Sequence, residues 1–395
     1  MADRLRILTL NSISHAGLKL LLPERYEVGS HLESPDAILV RSHDMHGMQI
    51  PDTVQAVGRA GAGTNNIPVE ALSRRGVPVF NAPGANANAV KELVLAGLFI
   101  AARNLLPAVR FVEGLSGSDQ ELSRLVEDNK KHYAGIELPN RTLGVIGLGA
   151  IGVKVANAAI DLGMRVLGYD PAITVQNAWQ MNSSVQQAVS VDDLMARSDL
   201  ITVHVPLLEA TRHLVNPARI KLMKKGATVL NFAREGVVDE AAIKAGLDEG
   251  KLHAYICDFP TATLFKHPRV VTLPHLGAST GEAEDNCAVM VAEQLRDFLE
   301  NGNIRNSVNF PEAIMPPVSG ATRLCIANAN VPNMVGQITT ALAKHKLNIA
   351  DLLNKSRGDL AYTLVDVDGA IPGEVCDEIS AIKGVLSVRS LSNGK

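Results

Sequence analysis

Residues 144–152 read Gly-Val-Ile-Gly-Leu-Gly-Ala-Ile-Gly, between an apolar run and an apolar, helix-compatible stretch. Three glycines at this spacing, Gly147-x-Gly149-x-x-Gly152, constrain the fold more than any other feature of the chain. The first permits a sharp turn out of a strand. The second lets the backbone approach a pyrophosphate, and the third lets a helix pack closely on the sheet. A helix starting here offers unpaired N–H groups and a partial positive charge to phosphate. The surroundings agree: residues 142–148 read as a buried strand, 151–162 as a helix, and 165–169 as a second strand ending at Asp170. Asp170 lies 18 positions beyond Gly152, where a carboxylate meets ribose hydroxyls and repels a 2′-phosphate. The turn therefore predicts a dinucleotide site that prefers NAD to NADP. The plainer alternative is a glycine-rich turn beside a capping aspartate.

A chain of 395 residues is too long for one core, so two or three domains are expected. Hydrophobic content of 46% with 20% charged residues suits a soluble globular enzyme. A net charge of −3 gives no electrostatic footprint for nucleic acid. Cys257, Cys287, Cys325 and Cys376 form no CxxC pair and read as reduced thiols of a cytoplasmic protein, with no metal site. The N-terminus lacks the apolar run of a signal peptide. Residues 93–102, flanked by Lys91, Glu92 and Arg103, are too few to span a bilayer. They read as a buried helix, and no membrane partner is expected.

Short apolar runs alternate with helix-like stretches along most of the chain. Residues 6–10, 37–40 and 78–80 read as strands of a first α/β unit. Residues 142–148, 165–169, 200–205, 228–232, 254–257 and 270–273 read as strands of a second. Strands with few polar residues, separated by helices, imply parallel sheets covered on both faces. Such sheets bind ligands beyond their carboxyl ends. A long amphipathic helix follows over 281–299, and Pro316, Pro317, Ser319 and Gly320 mark a linker over 311–320. Residues 321–391 show the order βαββαβ, which is ferredoxin-like. A unit that small is marginal alone, so edge pairing with a second copy is expected.

Two residues just past predicted strands suit the oxidation of a 2-hydroxy acid by NAD. Such a reaction needs a cation to clamp the carboxylate and an acid/base to exchange the hydroxyl proton, usually with a carboxylate to orient that base. Arg234, in Asn231-Phe-Ala-Arg-Glu-Gly-Val-Val-Asp-Glu240, offers a guanidinium fork that matches a carboxylate in two-point geometry. The competing reading is a surface arginine at a helix start. His275, in Leu273-Pro-His-Leu-Gly-Ala-Ser-Thr280, offers a side chain that titrates near neutrality, followed by small residues that let substrate approach.

The Gly147–Gly152 turn with Asp170, the 231–240 segment and the 274–280 segment resemble the D-isomer-specific 2-hydroxyacid dehydrogenase family. Val40-Arg-Ser42, the 57–63 segment and Val79-Phe-Asn-Ala-Pro83 resemble substrate-side loops of its members that oxidise 3-phospho-D-glycerate to 3-phosphooxypyruvate at the head of serine synthesis. The tail resembles the serine-sensing ACT domain of those members. The resemblance implies two Rossmann-like lobes plus a ferredoxin-like ACT domain. The substrate lobe would comprise residues 1–90 and 280–310, with an NAD lobe of 91–279 inserted in it and the ACT domain at 321–395. It implies that Arg234 and His275 are catalytic, and that NAD meets Gly147, Gly149, Ala150, Ile151, Gly152, Asp170, Val205, Phe232, Ala233, Asp258, His275, Gly277 and Ala278. It also implies a homodimer or homotetramer.

The chain departs from that family at one place. The usual orienting glutamate falls in Asp-Val-Phe-x-x-Glu-Pro, whereas this chain reads Ile256-Cys-Asp-Phe-Pro-Thr-Ala-Thr-Leu264. Ala262 stands where the glutamate should be, and no acid occurs from Phe259 to His275. Asp258 is then the replacement candidate, unless it serves the nicotinamide amide. For a substrate phosphate the candidates are Arg41, Arg59, Lys130 and Lys131, with Ser42 and Asn86 alongside. Lys130-Lys131 reads equally well as a solvated pair. In the tail, Asn328-Ala-Asn-Val-Pro-Asn333 lies between a strand and a helix and presents N–H groups to a carboxylate. Asn328, Asn330 and Asn348 are the candidate contacts for L-serine as effector, against ordinary capping by asparagine.

Overall fold

The computed structural model describes residues 4–392. It divides into two compact units, one of them Ala87–Thr280 and the other formed by the segments before and after it.

The first unit opens with five parallel strands: β1 (Leu5–Leu10), β2 (Tyr26–Gly29), β3 (Ala37–Val40), β4 (Ala56–Arg59) and β5 (Val79–Phe80). Their order across the sheet is β2-β1-β3-β4-β5. Strand side chains alternate between faces, and both faces are covered. Leu39, Ala56 and Phe80 meet Val291, Leu295 and Phe298 of the helix Gly281–Asn301. Ile38, Val40, Val57 and Val79 pack on the other side with Leu72.

The second unit holds seven parallel strands: β6 (Thr142–Ile146), β7 (Arg165–Tyr169), β8 (Gln186–Gln187), β9 (Leu200–Val203), β10 (Ala227–Asn231), β11 (Leu252–Cys257) and β12 (Val270–Thr272). Their order is β12-β11-β10-β9-β6-β7-β8, so the direction of winding reverses between β6 and β9. In open parallel sheets that reversal opens a crevice at the carboxyl edge. Strands β2 and β8 are absent from the sequence reading. Both are short and carry polar residues, and only pairing with β1 and β7 defines them.

The tail forms an antiparallel sheet of β13 (Ala321–Ala329), β14 (Ile349–Arg357), β15 (Leu360–Asp368) and β16 (Val385–Ser392), ordered β14-β15-β13-β16. Leu324, Ile326, Val365 and Val367 face the helices Met334–Lys344 and Gly373–Ser380. Cys325, Ala327, Tyr362 and Leu364 face the other way and join the core of Phe80, Phe298 and Phe310. The sheet thus shares a hydrophobic core with the first parallel sheet.

The first half of the stretch expected to be a linker is partly packed, whereas Pro316, Pro317, Ser319 and Gly320 are exposed. Phe310, Ala313 and Met315 are buried, and Ile304 bridges to Ala313. Arg323, wholly buried, grips Asp366 at 2.7 and 2.8 Å and donates to the carbonyls of Asn301, Met315 and Pro316. Proline and glycine forbid regular structure there, but they leave carbonyl oxygens free to accept from a guanidinium.

All four cysteines are free thiols. Among the described residues no single helix is long and apolar enough to cross a membrane; one bent pair, Ala87–Ala102 with Leu105–Glu113, has the length and composition.

Candidate active site

One row of paired residues runs across the sheet of the second unit: Tyr169, Ile146, Val203, Asn231, Cys257 and Thr272 are register partners in turn. Each loop at the carboxyl edge therefore leaves the sheet at one level, with neighbours about 4.8 Å apart. One residue past the row stand Asp170, Gly147, His204, Phe232 and Asp258. Three residues past it stand Arg234 and His275. The catalytic and cofactor candidates of this unit thus gather along a single edge.

The glycine turn fits a pyrophosphate. Gly147 takes φ +90°, and a Cβ there would fall 2.6 Å from the His204 carbonyl oxygen. A Cβ on Gly152 would fall 1.9 Å from the Gly147 carbonyl oxygen. Both glycines are required by the protein itself. A Cβ on Gly149 would meet nothing within 4 Å, so its bareness serves space outside the protein. Gly149 also caps the helix Ala150–Asp161 without a side chain, leaving that helix's first N–H groups unclaimed by a cap. Ile151 lies in its first turn. Asp170 accepts from the Leu148 N–H at 2.8 Å and the Ala172 N–H at 2.9 Å, tying the turn to the end of β7.

His204, which the sequence reading passed over, adds a second mark of a ligand. Its Nε2 lies 2.9 Å from Thr202 Oγ1. Its Nδ1 is buried with no partner. Burial pushes its pKa down to about 3, so the ring is neutral at physiological pH. An orphaned buried nitrogen beside the glycine turn asks for a group from outside. The signal in the sequence was a polar residue one step past an apolar strand. Val205 follows it, half-buried against the core.

The Arg234 loop is set by Asn231, a second residue whose role the sequence did not disclose. Asn231 is fully buried; its Oδ1 accepts from the Ala233 N–H and its Nδ2 donates to the Arg234 carbonyl. Phe232 is buried beside it. The guanidinium of Arg234 is exposed, donates to the Ala233 carbonyl at 2.7 Å, and forms no ion pair among the described residues.

Asp258 differs from its expected part. It is 1% exposed, and its two oxygens accept the N–H groups of Leu276 and Gly277, each at 2.7 Å. Its carboxylate is spent on the backbone of the turn that carries His275 and does not bond the imidazole. His275 itself holds φ +57°, rare for a residue with a side chain. Its ring packs edge-on to Phe259 at 5.2 Å. No hydrogen bond joins it to a carboxylate among the described residues, consistent with Ala262 in place of an acid. Gly277 is buried and Ala278 exposed.

The remaining candidates are scattered. In the first unit Arg41 pairs with Glu284 at 2.5 Å, and its carbonyl accepts from Arg59 Nε. The Ser42 N–H donates to Asn11, and Asn86 is half-buried. In the second unit Lys130 pairs with Glu127, and Lys131 is exposed. In the tail Asn328 is buried within the sheet; its Nδ2 donates to the Ala329 carbonyl and its Oδ1 accepts from Thr363 Oγ1. Asn330 is exposed and donates to the Gly358 carbonyl, and Asn348 donates to Asp368.

Residues 104–277 match the D-isomer specific 2-hydroxyacid dehydrogenase NAD binding domain. The chain is 37% identical over 353 residues to a D-3-phosphoglycerate dehydrogenase of Methanocaldococcus jannaschii, covering 86% of itself and 63% of that protein. It is 33% identical to the D-3-phosphoglycerate dehydrogenase of Haemophilus influenzae, covering 85% of itself and 81% of the relative. Among solved structures it resembles the NAD+-bound 3-phosphoglycerate dehydrogenase of Entamoeba histolytica, at 26% identity and TM-score 0.59 over 78% of this chain and 99% of that one. The chain thus spans less than two thirds of the archaeal relative's length. These likenesses and the glycine turn agree that the chain belongs to the D-isomer specific 2-hydroxyacid dehydrogenase family and carries its NAD-binding domain.

Proposed function

We propose that this protein oxidises 3-phospho-D-glycerate to 3-phosphooxypyruvate with NAD, the first step of phosphorylated serine synthesis. The observation that carries the reading is the single carboxyl edge, where the open position at Gly149 shares one register row with the loops of Arg234 and His275. NAD, when bound, supplies the acceptor for the hydride that leaves the hydroxyl carbon. Arg234 clamps the substrate carboxylate through two parallel N–H bonds. His275 takes the hydroxyl proton. Asp258 is a positioning residue that fixes the backbone of the His275 turn. Asp170 accepts the ribose hydroxyls. Arg41 and Arg59 of the first unit, or Lys130 and Lys131, supply charge for the substrate phosphate. Residues 1–90 with 280–310 serve as substrate lobe, 91–279 as NAD lobe and 321–395 as regulatory ACT domain.

L-serine is the proposed effector, received near Asn330 and Asn348. Self-association is proposed as well. The helices Leu105–Glu113 and Asp119–Asn129 bury no residue within the chain, and Leu105, Val109 and Val112 stand exposed. A second copy is the natural cover for such a face.

The test is NADH formation across a panel of 2-hydroxy acids. Turnover of 3-phospho-D-glycerate should far exceed that of D-glycerate, lactate and 2-hydroxyglutarate. Equal rates with and without the phosphate would rule out the phosphorylated substrate in favour of another 2-hydroxy acid. The His275 ring without a carboxylate partner favours one rival reading, a protein that senses NAD without turning over substrate. NAD binding with no NADH from any acid would establish that rival.

A further inference from the structure

A cavity of about 530 Å³ lies within the first unit, where β16 and the adjoining face of the tail sheet meet the segments that precede β4 and β5. It therefore sits at the amino ends of those parallel strands, whereas ligand sites of such sheets lie at the carboxyl ends. None of Asn328, Asn330 and Asn348 lines it. Its wall is mixed: Val54, Val77, Phe298, Leu386 and Val388 form an apolar side, and Asp52, Thr53, Gln55 and Ser387 are polar.

Two arginines line this wall. Arg75 donates to the carbonyls of Ile50 and Pro51 and lies 3.4 Å from the exposed carboxylate of Asp52. Arg389 is less well served. Its Nη2 donates to the carbonyls of Phe298 and Leu299 at 3.2 Å each, and its guanidinium lies 4.3 Å from the Phe298 ring centre. Its Nη1 is buried without any hydrogen-bond partner, and Arg389 forms no ion pair among the described residues. No titratable group lining the cavity pairs with it. The Asp52 carboxylate also lines the cavity but lies against Arg75. Burial pushes the Cys325 thiol up and the Tyr362 hydroxyl well up, so both stay uncharged at neutral pH.

A buried guanidinium N–H without a partner is costly, and native proteins seldom keep one without a reason. An oxyanion supplies both the charge and the acceptor that are missing. We propose that the cavity binds a small organic anion, its carboxylate or phosphate on Arg389 and its apolar body against Phe298, Leu386 and Val388. Such a ligand would bridge β16 to the segment before β5 and stiffen the joint between the tail sheet and the first parallel sheet.

Benzoate and inorganic phosphate are suitable probes, measured on the full chain by ligand-observed NMR and by thermal melting. The expected result is saturable binding of at least one probe together with a raised Tm. Saturation by benzoate alone points to a carboxylate with an apolar body, and saturation by phosphate alone to a phosphate ester. The binding should survive Arg234→Ala and Asn330→Ala but weaken about tenfold or more in Arg389→Met. If Arg389→Met does not fold, Leu386→Trp fills the cavity while keeping the guanidinium, and the same loss is expected. Failure of both probes to saturate the native protein overturns the proposal. So does undiminished binding in the variant that folds.

Discussion

Gly149 and Gly152 stand three positions apart in one turn, yet alanine should separate ligand binding from folding at these two sites. Gly149 has φ −73° and ψ −167°, extended backbone that alanine adopts freely, and its added methyl meets nothing within 4 Å. The substitution gains about 0.4–1 kcal/mol by restricting the unfolded chain and loses a few tenths to about 1 kcal/mol because alanine caps a helix poorly. Its net effect on stability is therefore near zero. At Gly152 the methyl would lie 1.9 Å from the Gly147 carbonyl oxygen, so the helix must back away from the strand. Overpacking of this kind costs about 1–3 kcal/mol. In a unit of this size each kcal/mol lowers Tm by about 2–4 °C, so Gly152→Ala should melt roughly 2–12 °C lower while Gly149→Ala melts as the parent does. The order reverses for the nucleotide. The Gly149 methyl enters space proposed for the pyrophosphate, and NAD affinity measured by calorimetry should fall about tenfold or more, roughly 1.4 kcal/mol. Equal melting losses in the two variants, or full NAD affinity in Gly149→Ala, would refute the reasoning.

Other consequences can be measured directly. Arg323→Met should lower the unfolding free energy by about 3–5 kcal/mol in a denaturant titration, since it strips Asp366 of its counter-charge inside the core. Arg323→Met with Asp366→Leu should recover part of that loss. His204 is held neutral by burial with its pKa lowered to about 3, below the ordinary value of about 6.5. Between those values the unfolded chain binds the extra proton, so stability should fall as pH drops below about 6.5 and go on falling toward 3. His204→Asn should flatten the plot of Tm against pH over that window. Arg234→Lys keeps the charge but loses the fork, and kcat/KM should drop by one to two orders of magnitude, about 1.5–3 kcal/mol; an unchanged value would remove Arg234 from the proposed carboxylate clamp.

The strands were legible where burial on both faces forces a continuous apolar run. The stretches Thr142–Ile146, Leu200–Val203 and Ala227–Asn231 are wholly buried, and each reads as a strand from composition alone. Strand β8, the pair Gln186–Gln187, has no such signature because its existence depends on Leu167 and Gly168 offering hydrogen bonds. The candidate residues were legible by type and by position past a strand. Their working partners were not. Asp258 looked like an acid in search of an imidazole, but a carboxylate facing two convergent N–H groups is satisfied by them first. Asn231 and His204 read as ordinary polar residues at strand ends.

Sequence by itself determined the alternation of apolar runs and helices, the glycine turn and its nearby aspartate, and the absence of any acid between Phe259 and His275. Those are local properties, written in spacing and side-chain type. Only the tertiary structure decided that six strand ends share one register row, that Asp258 holds a turn, that Arg323 is buried against Asp366, and that Arg389 is left with an unpaired nitrogen in a cavity. Each of those facts depends on which distant backbone groups arrive beside a side chain. Hydrogen-bond satisfaction is settled by that arrival and cannot be read from neighbours along the chain.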